Sequence, residues 1–127
     1  MSEAKTPEVG SIGWVDLTVP NAEEVRDFYA QVVGWKPQPL DMGGYSDFVM
    51  LAPGGEGKAG ICHARGKNAG QPPVWMVYLM VANLDASIAS CEELGGKVLV
   101  PARGAGGGRF CVIQDPAGAV AALFQGG

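Results

Sequence analysis

A chain of 127 residues is enough for one domain, and 47% hydrophobic with 17% charged residues suits a packed globule rather than a disordered segment. Net charge is −4, the nine basic residues form no dense run, and no aromatic residue lies among Lys58, Arg65 and Lys67, so a nucleic-acid partner is not expected. No apolar run reaches the roughly 18 residues that cross a bilayer, and "MSEAKTPEVG" has no apolar signal core; the expectation is a cytoplasmic protein with no membrane partner and a tail over residues 1–10.

In "GWVDLTVPNAEEVRDFYAQVVGW", Val15, Leu17 and Val19 alternate with Trp14, Asp16 and Thr18, the period of a strand with two unlike faces. Asn21 offers a helix N-cap with Glu24 three residues on, as in a capping box. Ala22, Val25, Phe28, Tyr29, Val32 and Val33 then form an apolar helix stripe, and Gly34 suits the left-handed position that ends it. Short strands follow at about 35–40, 45–51 and 58–64, with Pro37 and Pro39 placing the first at a sheet edge. "GKNAGQPP" reads as a linker.

The pattern then returns. Val77, Leu79 and Val81 alternate with Met76, Tyr78 and Met80; Asn83 offers a cap; Leu84, Ile88, Cys91 and Leu94 form the stripe; Gly95 and Gly96 close it. Strands follow at about 97–101, 109–114 and 119–125. An offset of 62 superposes Val15, Leu17, Val19, Asn21 and Gly34 on Val77, Leu79, Val81, Asn83 and Gly96, and Phe48 on Phe110, which reads as an internal duplication. Each half is β-α-β-β-β. The expected fold is α+β: a single domain over 11–127, with modules at about 11–65 and 74–125 joined by a linker at 66–73. Each helix must bury its stripe on one sheet face. Two such modules then form a curved mixed sheet, a cup with helices outside and a lined interior.

Between Ser11 and Gln125 the strand-cap-"FY"-"GW" opening, "LDASIASCEELGG" and the "DPAGAVAALFQ" ending resemble the vicinal-oxygen-chelate superfamily, the glyoxalase, bleomycin-resistance and extradiol-dioxygenase group. That resemblance implies a divalent metal in the cup, held by His, Glu or Gln from the first and last strand of each module. The matching positions here are Trp14, Met76 and Ala122, with Gly60, or Cys62 if the register slips, as the fourth. These residues cannot supply the oxygen and imidazole donors such a cation needs, so no metal and no cofactor are expected. The "W-x-D-L" opening resembles a branch in which tryptophan replaces the metal-binding residue.

Other candidates are weaker. Cys62 and His63 are strand neighbours and point to opposite faces, so a core thiol and a surface or interface imidazole are expected rather than a catalytic dyad. "GAGGGR" precedes a strand, not a helix, and reads as a hairpin with Arg103 and Arg109 nearby, with a secondary role in holding an anionic ligand open to it. Cys62, Cys91 and Cys111 are odd in number and read as free thiols.

Trp14, Asp16, Thr18, Met76, Tyr78, Met80, Val120 and Phe124 should line the cup, a mostly apolar and aromatic set with a few polar groups, as small-molecule sites are built. The expected function is binding of a small, partly apolar organic molecule, for which bleomycin resistance is the family precedent. The alternatives are a glyoxalase-like lyase or dioxygenase-type enzyme, with Asp16 as general base or a metal held in some other way, and a structural dimer with a filled cup. A homodimer is implied by the resemblance, and the linker would permit exchange of modules.

Overall fold

The computed structural model describes residues 7–127; of the expected tail, residues 1–6 lie outside the described residues. The first module comprises β1 (Ile12–Val19), α1 (Ala22–Val33), β2 (Lys36–Asp41), β3 (Ser46–Leu51) and β4 (Gly57–His63). The second comprises β5 (Met76–Met80), α2 (Leu84–Glu93), β6 (Lys97–Ala105), β7 (Gly108–Gln114) and β8 (Val120–Gly126). The fold class is therefore α+β with two β-α-β-β-β modules of mixed strand pairing.

The chain condenses into two compact units whose border differs from the module boundary read in the sequence. An N-terminal unit holds Val15–Trp75, and a C-terminal unit holds Met76–Gly127 with the described residues up to Trp14. Backbone bonds tie that opening segment to β5: the Gly10 N–H donates to the Met80 carbonyl at 2.8 Å and the Met80 N–H to the Ser11 carbonyl at 3.0 Å. Gly13 lies so close that a Cβ there would stand 2.5 Å from Met80 Sδ.

In the N-terminal unit the strands lie in the order β2-β3-β4-β1, with β1 and β4 parallel and the other neighbours antiparallel. Leu17 and Val19 face α1 and are buried with Ala22, Phe48, Met50 and Ile61, against Val25 and Tyr29 of the helix. Burial of each of the larger side chains contributes about 1.5–3 kcal/mol, which offsets the entropy of ordering the helix. Trp75 donates its indole N–H to the Tyr29 hydroxyl at 3.1 Å and tucks the end of the unit onto the helix. β2 is the edge strand, and all its residues are exposed, as Pro37 and Pro39 require.

The C-terminal unit repeats the plan as β6-β7-β8-β5, with β5 and β8 parallel. Leu79, Val81, Cys111, Ile113 and Leu123 pack with Leu84 and Ile88 of α2. Asp16 stands opposite Gly60 and Tyr78 opposite Ala122, so both partners keep the offset of 62. This makes Gly60, not Cys62, the counterpart of Ala122.

The duplication loses phase one strand later. Ile61 pairs with Phe48, whereas its counterpart Leu123 pairs with Cys111, one residue beyond the position the offset predicts. Phe48 therefore packs under α1, while Phe110 packs on the face away from α2. The superposition of these phenylalanines in sequence is not structural equivalence, because a one-residue slip turns a side chain to the other face.

The helix ends diverge too. Asn83 is extended and its side chain accepts the Ala86 N–H at 3.0 Å. Asn21 makes no side-chain cap; its Nδ2 donates to Glu24 Oε1 at 3.1 Å instead. Gly34, at φ 89°, ends α1, but in the second module the left-handed residue is Gly95, at φ 97°. Gly96 serves close packing, since a Cβ there would meet Cys91 Sγ at 2.6 Å and the Gln114 carbonyl at 2.9 Å. Asn83→Ala should therefore cost about 1 kcal/mol in urea denaturation, and Asn21→Ala clearly less. Equal losses would show that the two caps act alike.

Candidate binding site

The face of the C-terminal unit turned away from α2 is built in cross-strand rows. Arg103 pairs with Phe110, Phe110 with Phe124, and Phe124 with Met80. Val100 pairs with Val112, Val112 with Ala122, and Ala122 with Tyr78. Directly paired residues share a sheet face, so each row is a line of touching side chains. Met76, Phe110, Val112 and Ala122 are buried there, while Tyr78, Val100, Val120 and Phe124 are partly buried against them. The rings of Tyr78 and Phe110 lie 6.0 Å apart, tilted by 44°. Phe124 lies over Gly108, where a Cβ would stand 2.7 Å from its ring.

The corresponding face of the N-terminal unit is polar. Asp16 and Thr18 point away from Leu17 and Val19, and their β4 partners are Gly60 and Cys62. Asp16 Oδ1 is shielded from solvent, and Thr18 and Asp47 are buried. Asp47 Oδ1 accepts the His63 backbone N–H at 2.9 Å and lies 3.2 Å from His63 Nδ1. Its carboxylate also receives the Cys62 thiol. Burial, first, and then the charges of Asp16 and Asp47 push the Cys62 thiol pKa well above its ordinary value. The thiolate is thereby disfavoured at neutral pH. The His63 side chain is 14% exposed and set edge-on to Tyr45 with ring centroids 5.5 Å apart.

Of the sequence-expected lining, Met76, Tyr78, Val120 and Phe124 come together in one cluster, and Met80 is the paired neighbour of Phe124. Trp14 is half-buried in the same unit. Asp16 and Thr18 belong to the other unit. Phe110, Val112, Val100 and Arg103 escaped sequence reasoning. In "RFCVI" both alternating sets are apolar, so periodicity could not choose the face.

The family's metal does not fit these residues. Met76 and Ala122 are buried in an apolar cluster, and a glycine stands opposite Asp16. Among the described residues no group of three His, Cys, Asp or Glu side chains is arranged to hold a cation.

A family model described as a glyoxalase-like domain matches residues 14–124. The chain belongs to this family, within the vicinal-oxygen-chelate superfamily. The glyoxalase-like chain is 34% identical over 122 residues to "Putative glyoxylase CFP32" of Mycobacterium bovis, covering 91% of this chain and 46% of that protein. It is 29% identical to the anthracycline biosynthesis protein DauV of Streptomyces sp. strain C5, covering 93% of this chain and 48% of that protein. It thus spans about half the length of the curated relatives it matches. Methylmalonyl-CoA epimerase from Mycobacterium tuberculosis shares the fold at a TM-score of 0.59 and 16% identity, over 98% of this chain and 93% of that one.

The raised thiol pKa of this glyoxalase-like chain sets a test of the polar face. The stability Cys62 contributes is fully present below the unfolded thiol pKa of about 8.5 and is lost as pH rises from there towards the folded value. Urea midpoints should fall less between about pH 8 and about pH 10 in Cys62→Ala than in the unaltered chain. Asp16→Asn should speed alkylation of Cys62, read by peptide mass spectrometry. An unchanged rate would mean that the carboxylate does not act on the thiol.

Proposed function

We propose that this glyoxalase-like chain binds a small, partly apolar organic molecule, and that it does so without a metal or other cofactor. The observation that carries this reading is the aromatic and aliphatic face of Met76, Tyr78, Phe110, Val120 and Phe124, part of which stays accessible. Apolar walls with a few polar groups are the usual make-up of small-molecule sites. The proposed ligand-binding residues are Trp14, Met76, Tyr78, Met80, Val120 and Phe124 on the C-terminal unit and, on the N-terminal unit by itself, Asp16 and Thr18. The proposal of metal-free binding is supported by the donor chemistry at the family's ligand positions.

A homodimer is part of the proposal, on the strength of the family resemblance. So is a cytoplasmic setting; no described helix is long and apolar enough to cross a membrane. A second reading makes Asp16 a general base, and the solvent-shielded Oδ1 favours it.

Native mass spectrometry of freshly purified protein should give a dimer mass carrying a small organic adduct, with transition metal far below one equivalent per chain. About one equivalent of metal, stripped by a chelator with loss of ligand or activity, would end the metal-free reading. Asp16→Asn should leave the fold intact and weaken binding by about 1–3 kcal/mol, the scale of a lost charge-assisted hydrogen bond. Turnover abolished with binding intact would instead make Asp16 the base.

A further inference from the structure

We propose that the outer face of α1 is a docking surface for another protein, and that the partner is a basic amphipathic helix. The inference goes beyond small-molecule binding and concerns the N-terminal unit by itself.

The apolar stripe read in the sequence of α1 is wider than the sheet covers. Ala22, Val25 and Tyr29 pack into the core, but Phe28, Val32 and Val33 remain 57%, 63% and 51% exposed. The other helix leaves no such face. In α2, Leu84 is buried and Ile88 packs beside it, and the exposed positions carry only small or acidic side chains. The fold therefore does not demand an apolar outer surface on its helices.

On α1 the exposed residues have an order. Glu24, Phe28 and Val32 are four apart and form one ridge. Phe28 is held from behind: its ring stands edge-on to Tyr29 at 5.0 Å, and Tyr29 in turn accepts the Trp75 indole N–H. An aromatic side chain fixed in this way loses little freedom when a partner covers it, as the anchors of protein interfaces do. A ridge of this spacing fits the groove between the matching ridges of a second helix.

Charge decides which helix. The first turn of α1 holds Glu23 and Glu24, and its last turn holds no basic residue. Glu24 Oε1 accepts from the neutral Asn21 amide at 3.1 Å, which leaves its charge in place. Asp27, by contrast, is answered by Arg26 at 2.9 Å. An antiparallel partner sets its C-terminal turn beside Glu23 and Glu24, and that turn is where a helix dipole favours lysine and arginine. The last turn of a second α1 docked in this way would bring no cation to them, and a parallel one would set like charges together.

The probe is a fluorescent helical peptide of about 14 leucine and lysine residues with leucine along one face, titrated with the whole chain. A counterpart with glutamate in place of lysine keeps the apolar face and reverses the charge. The lysine peptide should bind at least about tenfold tighter than the glutamate one, and raised salt should narrow the gap. Phe28→Ser with Val32→Ser should weaken the lysine peptide at least about tenfold, whereas Leu94→Ser, at the exposed end of α2, should leave it unchanged. Glu23→Gln with Glu24→Gln should weaken it severalfold. An affinity that survives the loss of Phe28 and Val32, or that falls equally in Leu94→Ser, overturns the proposal. If the double serine variant does not fold, an undiminished affinity in Val32→Gln overturns it. Equal binding of both peptides overturns the basic partner, and binding of neither overturns the docking surface. If light scattering shows the double serine variant turning a dimer into a monomer, a second copy covers this face and the proposal fails.

Discussion

The chain returns its last strand alongside its first, twice, and nearly everything else follows from those two parallel pairs. A parallel neighbour cannot be reached by a hairpin, so each module carries a helix and further strands between the pair. Placing Asp16 opposite Gly60 and Tyr78 opposite Ala122 decides which side chains lie under a helix and which do not. Leu17, Val19, Leu79 and Val81 go to the helices, where they find Ala22, Val25, Leu84 and Ile88. The side chains between them are left on the opposite faces. Those faces are where a ligand could meet the protein.

The two modules use the same plan for different chemistry. After the shared parallel pair, the antiparallel register slips by one residue. Phenylalanine then falls under the helix in one module and on the opposite face in the other. One face becomes aromatic. Its counterpart collects Asp16, Thr18, Asp47 and Cys62, where burial first, and then the Asp16 and Asp47 charges, keep the thiol protonated. A duplicated sequence has in this way produced two surfaces of unlike character without changing the topology.

Much of this was legible in the residues, where the pattern was unambiguous. Val15 to Val19 and Val77 to Val81 alternate cleanly, the helices end at glycine, and Pro37 with Pro39 marks the edge strand. The family resemblance was legible for the same reason, since many ordinary positions agree. What escaped was any feature that depends on pairing rather than on periodicity. Phe110 and Cys111 are both apolar neighbours, so only the partner strand could say which one faces the helix. The bulge before Arg103 adds nothing to the local composition beyond a proline. Asn21 and Asn83 look alike in sequence, yet only Asn83 takes the extended backbone that aims its side chain at the helix. The sequence left the surroundings of His63 open, because they depend on Asp47 and Tyr45, which lie far away along the chain.

The edge strand carries a consequence of its own. Pro37 and Pro39 sit two apart in β2, opposite Met50 and Phe48 of β3. Lacking N–H groups, they suit the positions whose nitrogens look outward, while Lys36, Gln38 and Leu40 keep their donors for β3. At Pro37 and Pro39 the outer rim thus offers acceptors without the matching donors that a foreign strand would need. The two missing hydrogens disfavour recruitment of another chain by edge-to-edge pairing, the first step towards fibrils.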